Sequence, residues 1–538
     1  MAASLLLAMT PGVGSPVEAA EVLEIQLDSL RVPISLVQLE AWSRQPERRA
    51  GRQIQLEEPS SDLAVWISLL DGDSQEDLRQ LLRAPLLRDQ SFGRQLLDSW
   101  AGSQMLAEVG LLLTTSDGGS STPLLQVTLR RLLEERREVS LLELLRALPQ
   151  SRLQLQLDGL LELAQQWRLE LQRQRRAMQE LAALSPLRLR DHTPGMETSA
   201  AWGPGLAMGA RPLQMTLSVP GRQEPLLLEI WNPPAGRPFG ASRPWLLVMP
   251  GLGGTAEQMG WLAAALAAQG WPAVVLQHPG SDAAAVKATL EGLRPPPGAE
   301  TLPQRLADLQ AVLSAQQQGR LPLAQRPDGV VLIGHSLGGV AALLGSGLKP
   351  EAGLELRCHR LVKRLPVTNP SLLLQCQLPG EGLPVAMRPP EGLRGVVTFN
   401  SFGSLLWPSK GLRTLPVPVL MVGGSLDLVT PPIAEQLDLF LPVGHGRSRL
   451  AVVEGSSHFS PVRVSAREQA LLQLGKEFVG APPQAVQALL LRLTEGFLES
   501  VEPPPAQGLE PQRLQVDGVN AFVMDGLSAA AWRRRLTP

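Results

Sequence analysis

The run Val330-Val331-Leu332-Ile333-Gly334-His335-Ser336-Leu337-Gly338-Gly339, followed by Val340-Ala341-Ala342-Leu343-Leu344, constrains the fold more than any other stretch of this chain. Four apolar residues in succession read as a strand buried on both faces, and the run beyond the glycines reads as a helix. Between them Gly334 and Gly338 flank Ser336 in the G-x-S-x-G spacing, which sets a serine on a strained strand-to-helix turn with its oxygen exposed. Glycine is needed at the shoulders because neighbouring backbone comes too close for a side chain. The helix then points its N-terminal amides at the turn, where negative charge can be stabilised.

A serine nucleophile needs a histidine base and an acid that holds the histidine's tautomer. With this type of turn the chain order is serine, acid, histidine, the last two on loops after later strands. Val419–Val422 is an apolar strand whose loop Gly423-Gly424-Ser425-Leu426 ends in Asp427. Leu450–Val453 is the next strand, and Gly455-Ser456-Ser457-His458 is its loop. Asp427 and His458 are therefore the expected acid and base. His335 lies inside the turn, where a side chain usually points away from the reacting centre. His445 precedes its strand at the wrong end of the sheet, and Glu454 has no loop to aim it. The oxyanion donors are expected to be the amide after the nucleophile, Leu337, and one from the loop Pro250-Gly251-Leu252-Gly253-Gly254, best supplied by Leu252. Gly251-x-Gly253-x-x-Ala256 also fits a dinucleotide fingerprint, but that site needs an acidic residue where Gln277-His278 stands. His278-Pro279-Gly280-Ser281-Asp282 reads as a turn held by its own polar side chains, with substrate contact as the alternative.

The strand-like segments Leu213–Val219, Leu226–Trp231, Trp245–Met249, Ala273–Gln277, Gly395–Phe399, Pro418–Val422 and Leu450–Glu454 alternate with helical patterns at Met259–Gln269 and Gln304–Gln318. The fold class is α/β, with a mostly parallel sheet covered by helices on both faces. Ahead of it, residues 22–150 are leucine-rich at three- and four-residue spacing and predict an all-helical N-terminal domain. One of its helices is expected to open at Ser74-Gln75-Glu76-Asp77 in capping-box style. Asp71-Gly72-Asp73 is no calcium loop, since Glu76 stands where the turn glycine belongs. Residues 151–190 predict an amphipathic helix and linker, whose Arg168, Arg173, Arg175 and Arg176 form a solvated face or, more sharply read, an anionic-membrane contact. The Gly- and Pro-punctuated Asp191–Pro212 is the expected junction, 205–480 the catalytic domain and 481–538 a C-terminal extension that from Pro503 is Pro-rich and then weakly structured.

The chain has 538 residues and a net charge of −2, which argues against a general nucleic-acid binder. Six histidines, two cysteines and no H-E-x-x-H or C-x-x-C leave no metal or cofactor site to expect. Ser4–Met9 with Val17–Ala20 resembles the end of an export signal within residues 1–21 but lacks a preceding basic residue, so export and cytoplasmic residence both stay open.

From Trp245 to His458 the chain resembles the α/β-hydrolases on the strength of the Ser336 turn and the Asp427 and His458 loops. Gly251-Leu252-Gly253-Gly254, Leu266–Gly270, His278–Asp282 and Gly334–Gly339 look like the platelet-activating-factor acetylhydrolase and dienelactone-hydrolase-like branch, and the N-terminal region looks like a cyanobacterial family with such a catalytic domain. The relatives usually carry histidine where Pro250 stands, which bears on loop geometry more than on activity. The resemblance implies ester hydrolysis through an acyl-enzyme, on a small or lipid-like ester, with a lid at Leu348–Leu393. That segment holds Cys358 and Cys376; export would favour a disulfide between them, and buried free thiols are the alternative. A thioesterase or peptidase with the same residues, or an inactive lipid- or partner-binding module of the same fold, are the rival readings.

Overall fold

The computed structural model describes residues 19–44, 62–68, 71–83, 85–87, 90–135, 138–185, 211–234, 243–324, 327–361, 368–378, 387–463, 480–501 and 512–536. The signal-like start before residue 19, the junction up to residue 210, and 362–367 and 379–386 of the Leu348–Leu393 segment lie outside them. The chain divides into two compact units, Met1–Gln165 with Leu290–Pro295, and Gln166–Thr289 with Pro296–Pro538.

The first unit is not all-helical. Its strands are β1 (Val22–Leu27), β2 (Leu30–Ser35), β3 (Pro85–Leu87), β4 (Leu113–Thr115), β5 (Val139–Ser140) and β6 (Arg152–Gln156). Four of them form a sheet in the order β2-β1-β6-β4, and β3 pairs with β5. β1 and β2 make a hairpin whose Leu27 pairs with Leu30, and β1 runs parallel to β6. Leu23, Ile34 and Leu153 point into a core shared with helices such as Thr122–Glu135 and Leu141–Ala147. In a leucine-rich segment the short alternation of β1 and β6 is hidden, because the same leucines also satisfy a helical spacing. The helix expected to open at Ser74 starts instead at Gly72, where Asp71 accepts the Ser74 amide at 2.7 Å; the capping box of this unit is Ser140 with Glu143.

The second unit contains β7 (Leu213–Leu217), β8 (Leu226–Trp231), β9 (Trp245–Met249), β10 (Ala273–Gln277), β11 (Val330–His335), β12 (Leu393–Phe399), β13 (Val419–Gly424), β14 (Arg449–Val453), β15 (Gln512–Val516) and β16 (Val519–Asp525). They form one ten-stranded sheet in the order β15-β16-β14-β13-β12-β11-β9-β10-β8-β7. β10, β9, β11, β12, β13 and β14 are parallel neighbours in that order, with antiparallel pairs at both edges. Along β11, Val330 and Leu332 enter one core with the helices Leu302–Gln317 and Leu337–Gly345. Val331 and Ile333 enter the other core with Ala256–Ala268 and Pro483–Val501. A strand buried on both faces has no polar side to show, which is why its sequence is an unbroken apolar run.

Three segments carry more structure than their sequence reading specified. In residues 481–538 a 19-residue helix, Pro483–Val501, covers one face, and the stretch beyond Pro503, expected to be weakly structured, supplies β15 and β16, which complete the sheet. The helix Leu157–Leu184 buries Ala177 and Leu181 in the core of the second unit. On its arginine face, Arg173 pairs with Asp438 at 2.6 Å, whereas Arg168, Arg175 and Arg176 are exposed. In the Leu348–Leu393 segment, the helices Leu354–Leu361 and Ser371–Gln377 are joined by a Cys358–Cys376 disulfide, with both cysteines buried.

The disulfide spans a sequence separation of 18, a loop for which chain entropy gives about 3 kcal/mol. Cys358→Ser with Cys376→Ser is expected to lower unfolding free energy in urea by that amount, and a loss below ~1 kcal/mol would show that the bridge contributes little.

Candidate active site

Parallel strands place all their carboxyl-end loops along one edge of the sheet, which is where such sheets build sites. Six loops lie there: Pro250–Gly254 after β9, His278–Asp282 after β10, Ser336 after β11, Asn400 after β12, Asp427 after β13 and His458 after β14. Ser336 has φ 51°, a left-handed conformation costly for a non-glycine residue. Close backbone packing imposes it. A Cβ on Gly334 would lie 2.2 Å from the Gly338 oxygen, and one on Gly338 would lie 2.3 Å from the Met249 oxygen. The Ser336 amide donates to Phe399 O at 2.9 Å, which fixes the turn to β12.

The expected residues are brought together. Ser336 Oγ lies 3.1 Å from His458 Nε2, and His458 Nδ1 lies 2.8 Å from Asp427 Oδ2. All three are buried. A buried carboxylate is costly unless its oxygens are occupied. Asp427 Oδ1 accepts the Val429 and Thr430 amides at 2.8 and 2.7 Å, and Oδ2 accepts the Thr430 hydroxyl at 2.7 Å. With acceptors only on the carboxylate side, His458 carries its proton on Nδ1 and turns the Nε2 lone pair to Ser336. Leu337 is the first residue of its helix, so its amide has no acceptor one turn back. The Leu252 loop packs beside it: a Cβ on Gly251 would stand 3.1 Å from Ser336 Cβ.

Three further residues complete the site: Asn400 and Thr430, which the sequence reading did not single out, and His335, which it set aside as a candidate base. Asn400, at φ 48°, donates its side-chain amide to the Ser457 and His458 carbonyls, both at 3.1 Å. Asparagine is among the few side chains that tolerate this backbone, and its position directly after an apolar strand was the available signal. The one proton of the Thr430 hydroxyl is shared between Asp427 Oδ2 at 2.7 Å and Asn400 O at 3.0 Å, which draws the acid loop toward the end of β12. His335 packs its ring beside that of His458, centroids 5.1 Å apart, and its Nε2 donates to His458 O at 2.9 Å, so it supports the base through its backbone. His278 is buried against Asp308 at 2.8 Å, which leaves it a loop-holding residue. His445 and Glu454 lie away from Ser336; Glu454 bonds Asn520.

The Leu348–Leu393 segment braces the acid side. Ser371 N donates to Val429 O at 3.1 Å. Buried Glu435, in the π-helical turn Ile433–Leu437, accepts Asn369 Nδ2 at 2.6 Å and the Gly403 and Ser404 amides at 2.8 and 3.0 Å.

Sheet order, turn and buried Ser-His-Asp contacts together define a hydrolase-like α/β class. Residues 19–156 match a family model described as an alpha/beta hydrolase of unknown function (DUF1400). The match covers well under half of the chain and falls on the first unit, outside the ten-stranded sheet. It supports the α/β-hydrolase superfamily and says nothing of a narrower branch or a substrate. No curated protein matches the chain.

Burial, chiefly, and the neighbouring His458 lower His335 to about 3, so it stays neutral in the folded protein. The unfolded chain takes up that proton near pH 6.5. The stabilisation is thus full above about pH 6.5 and lost as pH falls toward about 3, with a limiting slope of about 1.4 kcal/mol per pH unit. His335→Gln, which keeps a donor for His458 O, is expected to flatten the fall of urea stability between pH 6.5 and 4. An unchanged slope would show that another group causes it.

Proposed function

We propose that the chain is a serine hydrolase that cleaves carboxylic esters through an acyl-enzyme. The observation that carries this is the contact series Ser336 Oγ to His458 Nε2 at 3.1 Å and His458 Nδ1 to Asp427 at 2.8 Å, at the carboxyl edge of a parallel sheet. In this reading His458 takes the Ser336 proton as Oγ attacks the ester carbonyl. Asp427 keeps the imidazole in its Nδ1–H tautomer and stabilises the imidazolium that forms. The Leu252 and Leu337 amides receive the oxyanion, and losing one such donor typically costs about 3 kcal/mol of transition-state stabilisation. His458 then protonates the departing alkoxide, and water, deprotonated by the same imidazole, releases the acid and restores Ser336. A lipid-like acyl group belongs to the proposal through the resemblance to the platelet-activating-factor acetylhydrolase and dienelactone-hydrolase-like branch. A membrane surface as the place where such an ester is met rests on the exposed Arg168, Arg175 and Arg176 alone.

The test is hydrolysis of p-nitrophenyl esters of two to twelve carbons, with matched thioesters and anilides. The wild type is expected to prefer esters, with kcat/KM rising with acyl length, and Ser336→Ala to lose at least about 1,000-fold. Retained activity in Ser336→Ala excludes the mechanism. Preference for thioesters or anilides moves the activity to a thioesterase or peptidase, and no turnover by folded protein favours a binding module.

A further inference from the structure

Arg305, in the helix Leu302–Gln317, has a guanidinium that is only 1% exposed. Burying a cation is costly, so its position calls for a reason. Its side chain donates to three backbone oxygens on the carboxyl edge of the sheet: Nη1 to Pro250 O at 2.8 Å, and Nη2 to Gly251 O at 3.0 Å and Ser281 O at 3.2 Å. Ser281 O also accepts the Gly253 amide at 2.8 Å. The grip therefore falls on consecutive peptides of the Pro250–Gly254 loop.

Peptide geometry turns that grip into aim. A peptide unit is planar and trans, so its C=O and N–H point in opposite directions. The Pro250 oxygen shares a plane with the Gly251 amide, and the Gly251 oxygen shares one with the Leu252 amide. A rigid fork that fixes both oxygens fixes the direction of both N–H groups. A cation on a carbonyl oxygen also polarises that peptide, which makes its N–H a stronger donor. We propose that Arg305 is a positioning residue that holds the Leu252 amide toward the developing oxyanion, an inference that rests on the Ser336–His458–Asp427 reading.

The surroundings supply the counter-charge such a residue needs. Burial pushes Arg305 down to about 9, against the opposing pull of Asp308 and Asp282, so it stays charged at neutral pH. Asp308 is itself buried, 2.8 Å from Arg222 and 2.8 Å from His278 Nδ1. Asp282 accepts the Ala285 amide at 3.0 Å and Gln277 Nε2 at 2.9 Å, which anchors the loop bearing Ser281. His278–Asp282, read from sequence as a self-held turn, is thus one side of the Arg305 seat.

Lysine keeps the charge but lacks the planar fork that spans two carbonyls, and glutamine keeps one donor without the charge. Arg305→Lys and Arg305→Gln are compared with wild type and Ser336→Ala for p-nitrophenyl butyrate kinetics, melting temperature and inhibition by a trifluoromethyl ketone of the same acyl length. The variant that keeps the wild-type melting temperature is scored; if neither does, both are scored at a temperature where each is folded by circular dichroism. The expected result is a kcat lower by about 30- to 100-fold with KM within about threefold, and ketone affinity falling in step with kcat/KM. A role confined to holding the fold would lower melting without that coupled loss. Wild-type kcat in a folded variant, or a loss confined to KM, overturns the inference while leaving Ser336 as nucleophile. Full activity in Ser336→Ala fails the underlying reading instead.

Discussion

The site depends on a contact between backbones that leaves no room for side chains. Gly338 brings the start of its helix against the Met249 and Pro250 oxygens, where an added Cβ would stand 2.3 and 2.6 Å away. That approach holds Ser336 in its left-handed conformation and seats the Leu252 loop beside the Leu337 amide. The turn is strained, and the cost is met by a sheet whose central strands are buried on both faces. A loosened sheet would release the turn, and the serine would lose its direction before any side chain was altered.

Around this turn, the polar groups of the acid and base loops are held by named partners. Asp427 is fully buried but accepts four hydrogen bonds, from Val429, Thr430 twice and His458. The His458 carbonyl receives both Asn400 and His335, so the base is held through its backbone as well as its ring. On the opposite flank Arg305 holds the carbonyls of the Leu252 loop. Networks of this kind are strong when complete and expensive when one member is removed.

Much of this could be read from the chain. The parallel strands are legible because burial on both faces makes them unbroken apolar runs, as in Trp245–Met249 and Val330–Ile333. Ser336, Asp427 and His458 stand on the loops at such strand ends, and the structure brings them within hydrogen-bonding distance. The N-terminal sheet was hidden, because the leucines of β1 and β6 suit either period and the two strands pair across more than a hundred residues. β15 was missed because this edge strand mixes polar with apolar residues, among them Gln512, Arg513 and Gln515, and β16, paired on both sides, was missed with it. Thr430 and Arg305 carry no local signature at all, and Asn400 only its place directly after an apolar strand. Their roles are set by carbonyls and carboxylates that the fold alone brings near.

The central claim is that Ser336 is the group made nucleophilic by His458 and Asp427. The most direct measurement is the site and rate of adduct formation with a fluorophosphonate, read by peptide mass spectrometry. The account predicts a single adduct on Ser336, formed far more slowly in His458→Ala and Asp427→Asn proteins that still fold. An adduct on another residue, or labelling of Ser336 at an unchanged rate in both variants, would contradict it.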